Sequence, residues 1–168
     1  MKTVRPRVHQ LTLAALYVAV GVLTSHLVVV PVAFAKAFPV QHFLNVLSAV
    51  TLGPGGAVSV AFAVSVLRVA LGTGTPLAFP GSMFGALLAG LLYRRSGRVA
   101  AALAGEIVGT GVLGALVAVP VAQLVLGRQV GFLVYIVPFT VSSAAGALLA
   151  GALLPVLRRV PALQRWLR

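Results

Sequence analysis

The sequence has no cysteine and a single acidic residue, Glu106, among its 168 residues. Without cysteine, the chain cannot form disulfide bonds, thiolate metal sites or a cysteine nucleophile. One carboxylate cannot build a paired-carboxylate acid–base site or a carboxylate-rich magnesium or calcium site. A G-x-x-x-x-G-K-[ST] phosphate loop and a G-x-S-x-G nucleophile elbow are also missing. We therefore predict that the protein is not an enzyme and carries no metal or cofactor of its own.

Charge is scarce, and apolar residues dominate. Only 8% of residues are charged, 60% are hydrophobic, and the mean hydropathy is +1.10. These values predict an all-α integral membrane protein. The net charge of +12 does not indicate a nucleic-acid partner, because the basic residues lie at the ends of apolar runs and form no patch with interleaved aromatics. Membrane lipid is the expected surrounding.

Six apolar segments divide the chain into predicted helices within one membrane domain, residues 1–168. Their approximate bounds are 11–30, 40–52, 57–71, 80–94, 99–126 and 129–157. The first is predicted to be an uncleaved helix, because it is too long for a typical signal peptide.

The basic residues predict how these six helices are oriented. The N-terminal tail, the 94–98 turn and the C-terminal tail hold three, three and four basic residues, which is ten of the 13 Lys and Arg residues. This bias predicts that both termini are cytoplasmic, with Trp166 in an interfacial anchor.

The stretch Gly72–Arg95 combines a broken segment with a helix. Glycines, prolines and threonines interrupt its first eight residues, and such backbone is tolerated at membrane depth only where it is buried or lines a cavity. The helix that follows carries Gly81, Gly85 and Ala89 at four-residue spacing, which favours close helix packing. The pairs Gly105–Gly109 and Thr110–Gly114 repeat that spacing in the fifth helix. This region is therefore predicted to supply a ligand loop and a packing face.

Polar side chains concentrate in the outer half of the predicted bundle. They indicate a pocket open to the outside, covered by loops 31–41 and 72–79 and walled by aromatic residues that include Phe38. Arg68 has two readings, a headgroup anchor or a ligand contact. The predicted substrate-binding residues are Gln41, His42, Asn45, Arg68, Thr75, Phe79, Ser82, Glu106, Thr110, Tyr135 and Phe139.

Glu106 lies inside the fifth helix, where an acidic residue is costly and is by default functional or paired. It could bond to the ligand, carry a coupling proton or pair with a basic group. On the first helix, Ala15 and Ala19 form a small-residue strip that suits either packing within the bundle or docking of a partner's helix.

Three blocks carry a family resemblance: PVQHFLNVLSAVTLGP, SVLRVALGTGTPLAFPGSMFGALLAGLLYR and GEIVGTGVLGA. They resemble the ThiW family, the thiazole-specific S-components of energy-coupling factor (ECF) transporters. The resemblance implies a six-helix S-component fold in a prokaryotic cell membrane and capture of the thiamin precursor hydroxyethylthiazole from outside. It also implies partnership with a transmembrane coupling subunit and two ATPase subunits that use ATP. Ala15 and Ala19 match the strip by which S-components dock to the coupling subunit.

Under this resemblance, the thiazole is expected to stack on Phe79 or Tyr135. His42, Asn45, Thr75 or Glu106 would read its ring nitrogen and hydroxyl. Two alternatives stay open: an S-component for another vitamin such as thiamin, and a stand-alone proton-coupled transporter that uses Glu106.

Overall fold

Helices account for most of the chain, as the apolar composition predicts. The computed structural model describes residues 5–25, 27, 29–32 and 35–160, so the predicted anchor at Trp166 lies outside the described residues. The elements in chain order are α1 (Arg5–Thr24), β1 (Val30–Val32), β2 (Ala35–Ala37), α2 (Pro39–Ala70), α3 (Ala78–Ser96), α4 (Val99–Val108), a π-helical turn (Gly109–Gly114), α5 (Ala115–Leu124) and α6 (Ile136–Leu157).

The long element α2 is a helical hairpin. Its backbone is helical except at Gly53, whose φ of 75° and ψ of 179° reverse the chain direction, and Pro54 follows at the start of the next turn. Arg68 Nη1 donates to Gln41 Oε1 although the two residues are 27 positions apart. On a straight helix that separation would be about 40 Å. The two arms, residues 39–52 and 54–70, therefore run antiparallel, and the turn predicted at 53–56 narrows to one residue.

The remaining helices alternate in direction. Tyr17 in α1 lies 3.2 Å from Thr51, measured between hydroxyl oxygens, near the turn of α2. At the same end, Arg158 Nη2 donates to the hydroxyl of Tyr93 at 3.1 Å and joins the end of α6 to α3. The start of α1 and the end of α6 thus share one end of the bundle with Arg94, Arg95 and Arg98. We call this the basic end.

Among the residues that the structure describes, three helices are long and apolar enough to cross a membrane by length and composition: Pro39–Ala70, Val99–Leu124 and Ile136–Leu157. The first of these contains both arms of α2. Val8–Thr24 is a further apolar helix, but it is shorter. Large apolar side chains face outward along the bundle, including Leu124 at 85% and Leu148 at 72% exposure. Such outward-facing apolar surface is typical of a membrane protein. The count of six spans and the cytoplasmic position of the basic end stay predictions.

Two helix ends differ from the sequence prediction. The first helix ends at Thr24 rather than near residue 30, because the valine-rich segment that follows pairs as a two-stranded antiparallel hairpin, with Val30 opposite Ala37. Valine favours strands, and Pro31 has no N–H to continue a helix. The sixth helix begins at Ile136 rather than at residue 129, so residues 129–135 belong to a loop.

Helix α3 and the Val99–Leu124 helix approach closely along a seam of small residues. A Cβ added at Gly105 would lie 2.7 Å from the backbone nitrogen of Ala89, and one at Gly114 would lie 2.7 Å from Gly81 Cα. Between them, Gly109 faces Gly85. On α3 the seam residues follow one another at intervals of four positions. On the Val99–Leu124 helix, Gly105 and Gly109 are four positions apart, but Gly109 and Gly114 are five apart. The extra residue of the π-helical turn keeps Gly114 on the same face as Gly109. The partner of Gly114 on this face is therefore Gly109, not Thr110 as the four-residue spacing predicts.

Substituting Gly109 by Ala is expected to destabilise the bundle by roughly 1–3 kcal/mol, although alanine has the higher helix propensity. The reason is that the new Cβ would lie 2.5 Å from the carbonyl oxygen of Phe84. The measurement is thermal unfolding in detergent. Gly55→Ala is the matched control, because a Cβ there meets nothing within 4 Å. Equal melting temperatures for both variants would contradict the close seam.

Candidate functional site

A cavity of about 450 Å³ opens at the end of the bundle opposite the basic end. Helices α2, α3 and α6, the π-helical turn and loops 71–77 and 125–135 surround it. Its lining mixes polar, aromatic and small side chains: Phe38, Gln41, His42, Arg68, Gly72, Thr73, Gly74, Thr75, Leu77, Ala78, Gly81, Ser82, Thr110, Arg128, Val130, Val134, Tyr135, Pro138, Phe139 and Ser142. The volume suits a small organic molecule.

The carboxylate of Glu106 lies next to this lining and has no solvent exposure. Its Oε1 atom lies 2.8 Å from His42 Nδ1, and it accepts hydrogen bonds from Asn45 Nδ2 at 3.0 Å and from the Thr110 hydroxyl at 3.0 Å. Its Oε2 atom has no hydrogen-bond partner among the described residues. We call these four residues the Glu106 network. It joins α2 to the Val99–Leu124 helix.

The orientation of the Asn45 amide follows from its second neighbour, Ser82. Asn45 Nδ2 donates to the Ser82 carbonyl oxygen at 3.1 Å, and Asn45 Oδ1 accepts from the Ser82 hydroxyl at 3.1 Å. A flipped amide would put two oxygens against each other at both Ser82 O and Glu106 Oε1. Asn45 is therefore a donor to the carboxylate, and it ties α3 into the network.

Gly85 provides the space that the carboxylate occupies. A Cβ at this position would lie 2.2 Å from Thr110 Oγ1 and 2.7 Å from both carboxylate oxygens of Glu106. Thr110 lies in the π-helical turn, where its hydroxyl is also 2.9 Å from the carbonyl oxygen of Gly81. The hydroxyl has one proton, so it donates to one of these two acceptors at a time.

Arg68 points into the bundle, where it is 1% exposed. Its guanidinium lies 3.8 Å from the ring centroid of Phe38, within the range of a cation–π contact. It donates to the side-chain oxygen of Gln41 and, at 3.3 Å, to the carbonyl oxygen of Thr73. Its Nε is buried without a partner among the described residues. Arg68 is thus part of the cavity wall, and the headgroup-anchor reading is wrong.

A family model described as thiamine-precursor transporter protein (ThiW) matches residues 11–160. The chain belongs to the ThiW family. This confirms the resemblance noted from the three sequence blocks, and a transporter family is consistent with the prediction of a non-enzyme. Neither a curated protein nor a solved structure matches the chain.

Eight of the eleven residues predicted to bind substrate line the cavity in this ThiW-family chain: Gln41, His42, Arg68, Thr75, Ser82, Thr110, Tyr135 and Phe139. Asn45 and Glu106 lie beneath the lining, where Glu106 contacts His42 and Thr110 and Asn45 contacts Glu106 and Ser82. Phe79 is not in the lining, because its ring packs against Phe62 with centroids 5.7 Å apart. Of the two rings on which the thiazole was expected to stack, Tyr135 lines the cavity and Phe79 does not. A substrate-binding role for the others stays a prediction.

Of loop 125–135, the sequence predicted only Tyr135 at the pocket. Arg128, Val130 and Val134 from this loop line the cavity. Most of the loop lies within the predicted bounds of the sixth helix, although Gly127 and Gly131 bracket its first part and signal irregular backbone. These two glycines could have indicated a loop here, in addition to the predicted loops 31–41 and 72–79.

Two further predicted features can be located. Ala15 and Ala19 are exposed on α1, while α1 packs mainly against α2. Their strip faces away from the bundle and is free of packing within the described chain. As to metal ligands, His42 and Glu106 come together, but no group of three His, Asp or Glu side chains forms within the described residues.

Replacing Asn45 by Ala is expected to lower the free energy of unfolding by roughly 1–3 kcal/mol. The change removes donors to the Ser82 carbonyl and to Glu106, and it leaves the buried Ser82 hydroxyl without its acceptor. Unfolding in detergent measures the loss. Gln123→Ala is the control, because that amide is exposed and donates only to the carbonyl oxygen of Val130. A loss no larger than that of the control would show that the network does not hold the helices together.

Proposed function

We propose that this chain is the substrate-binding S-component of an ECF-type importer and captures hydroxyethylthiazole from outside. Membership of a thiamine-precursor transporter family makes a small thiamin-related molecule the first candidate. The observation that carries the proposal is the 450 Å³ cavity at the end opposite the basic end. A heteroaromatic alcohol of this size fits such a cavity.

The charges around the cavity favour a neutral ligand. Arg68 and Glu106 are both buried and opposite in sign, so the buried part of the site is balanced without a ligand charge. Arg128 is exposed at the rim, where water screens it. A neutral thiazole would leave that balance undisturbed.

Aromatic rings and polar atoms together suit the two parts of this ligand. Tyr135 and Phe139 both line the cavity, and their ring centroids lie 5.7 Å apart with the planes tilted by 40°. A flat thiazole ring would pack against them. The lining hydroxyls and His42 are available to its polar atoms.

The basic end supports an outward-facing cavity. Positive residues collect on the cytoplasmic side of membrane proteins, and Arg94, Arg95, Arg98 and Arg158 all lie at the basic end. The cavity would then open to the outside, as capture of an external precursor requires. The membrane concerned would be the cytoplasmic membrane of a prokaryote, crossed several times.

Energy for uptake would come from other subunits. The chain lacks an ATP-binding phosphate loop, so ATP hydrolysis would belong to two partner ATPases. Ala15 and Ala19 present an exposed strip of small side chains on the peripheral helix α1, which would let a helix of a coupling subunit approach closely. Docking there would leave the Glu106 network untouched.

Purified protein in detergent is expected to bind hydroxyethylthiazole more tightly than thiamin or riboflavin in calorimetry. Thr75→Trp is expected to reduce that affinity about tenfold or more, a loss of ~1.4 kcal/mol, because it places a large ring at the exposed mouth of the cavity. Thr12→Trp is the control, since Thr12 is an exposed threonine on α1. Tighter binding of a comparator would reassign the chain to another vitamin.

A second candidate, a stand-alone proton-coupled transporter, is favoured by one observation: the buried contact between His42 and Glu106. Ionisable pairs inside membranes often carry protons. This candidate expects uptake without ATPase partners and loss of coupling, with binding retained, in Glu106→Gln.

Ala19→Trp is expected to abolish uptake by cells that contain the coupling and ATPase subunits, while thiazole binding to the purified variant stays within about twofold of wild type. A large ring on the small-residue strip would block helix docking without reaching the cavity. Leu148→Trp is the control, because Leu148 is a large, exposed residue on α6 and does not belong to the strip on α1. Unimpaired uptake by the Ala19 variant, or uptake without partners, would favour the proton-coupled candidate.

A further inference from the structure

We infer that His42 reads the hydroxyl of the ligand as a hydrogen-bond acceptor, through Nε2. The inference deepens the proposed function and rests on it. It assigns a direction to one contact: the ligand must bring a donor, an O–H or N–H group, to this nitrogen. An ether or a ring nitrogen could not replace that donor.

The first step is the position of the proton between Glu106 and His42. All three neighbours of the carboxyl group converge on Oε1, and Oε2 has none among the described residues. If Oε1 carried a proton, it would be the hydroxyl oxygen of a carboxylic acid, which is a poorer acceptor than the carbonyl oxygen. Oε1 would nevertheless receive the hydrogen bond from Asn45, while Oε2, the better acceptor, would receive none. A carboxylate whose Oε1 accepts hydrogen bonds removes that contradiction. Glu106 Oε1 therefore carries no proton, and the proton between the two residues lies on His42 Nδ1.

The second step is the charge of His42. The ring is 10% exposed, and the buried Arg68 bonds to the side chain of Gln41, the neighbouring residue in α2. A protonated His42 would place two cations against one carboxylate in this buried region. A neutral imidazole leaves one of each sign, which costs least away from water. With Nδ1 protonated and the ring neutral, Nε2 has a lone pair and no hydrogen.

The third step is the position of Nε2. His42 lines the cavity, and no hydrogen bond joins its Nε2 to any residue in the described part of the chain. Nδ1 is held on the side of Glu106, so Nε2 lies on the other edge of the ring. It is the polar atom of His42 left for a ligand. Glu106 thus sets the specificity of the cavity without touching the ligand, because it fixes the tautomer of His42.

Three ligands test the inference by calorimetry: hydroxyethylthiazole, its methyl ether, and the analogue with an ethyl group in place of the hydroxyethyl group. The alcohol alone offers a donor. We expect the affinity for the alcohol to exceed the affinity for either analogue by about tenfold or more. If all three bind equally, or the ether matches the alcohol, the inference fails while the proposed substrate class stands. If wild-type protein shown to be folded binds none of them, both fail.

His42→Asn tests the assigned atom. The shorter amide can keep a donor near the position of Nδ1 for Glu106, but it has no atom at the position of Nε2. The variant is expected to bind the alcohol and the ethyl analogue with equal affinity. His9→Asn is the control, because His9 is exposed on α1 near the basic end. A tenfold preference for the alcohol that persists in His42→Asn would overturn the assignment.

A direct observation keeps the inference testable should His42→Asn fail to fold. The imidazole nitrogens of the wild-type protein, labelled with ¹⁵N-histidine, report which nitrogen carries the proton. We expect His42 to show a protonated Nδ1 and an unprotonated Nε2 at neutral pH, with Nε2 shifting when the alcohol is added. A protonated Nε2 in the free protein would overturn the inference.

Discussion

The carboxylate of Glu106 is the constraint on which the rest of the site depends. A charge buried among apolar helices is costly unless other groups stabilise it, and here the groups that do so come from separate elements: His42 and Asn45 from α2, and Thr110 from the π-helical turn. Gly85 in α3 leaves the room that the carboxylate fills. Helices α2 and α3 and the Val99–Leu124 helix must therefore sit at one height relative to one another, since a shift by one turn would leave the carboxylate without its donors.

The division between the two ends of the bundle follows from where polar groups can be tolerated. Arginines at the basic end lie where water and headgroups can solvate them. In the other half, most polar side chains turn inward, and several polar groups are matched by a neighbour: Arg68 by Gln41 and by the ring of Phe38, and the backbone N–H of Phe38 by the hydroxyl of Ser142 at 2.8 Å. The outer surface stays apolar, and the interior becomes a polar chamber.

Much of this arrangement could be predicted from the sequence, because membrane helices and glycine–proline turns leave clear local signals. The turn at Gly53 and the gathering of polar residues around His42 are examples. What could not be predicted depends on contacts between distant segments. The ring of Phe79 turns away from the cavity because Phe62, seventeen positions earlier, offers it a surface. Whether Glu106 touches the cavity or supports it depends on the relative height of helices, which no local pattern records.

The π-helical turn has a consequence for how chains of this kind can vary in length. One extra residue in a helix normally rotates everything beyond it by about 100°, and it would turn the face of α5 away from α3. Here the additional residue is absorbed within Gly109–Gly114, so Gly105 and Gly114 still meet α3 on one side. The turn is thus the form that one additional residue takes when the packing of the helix on both sides of it is kept. A relative lacking that residue would carry an unbroken α-helix and glycines four apart throughout.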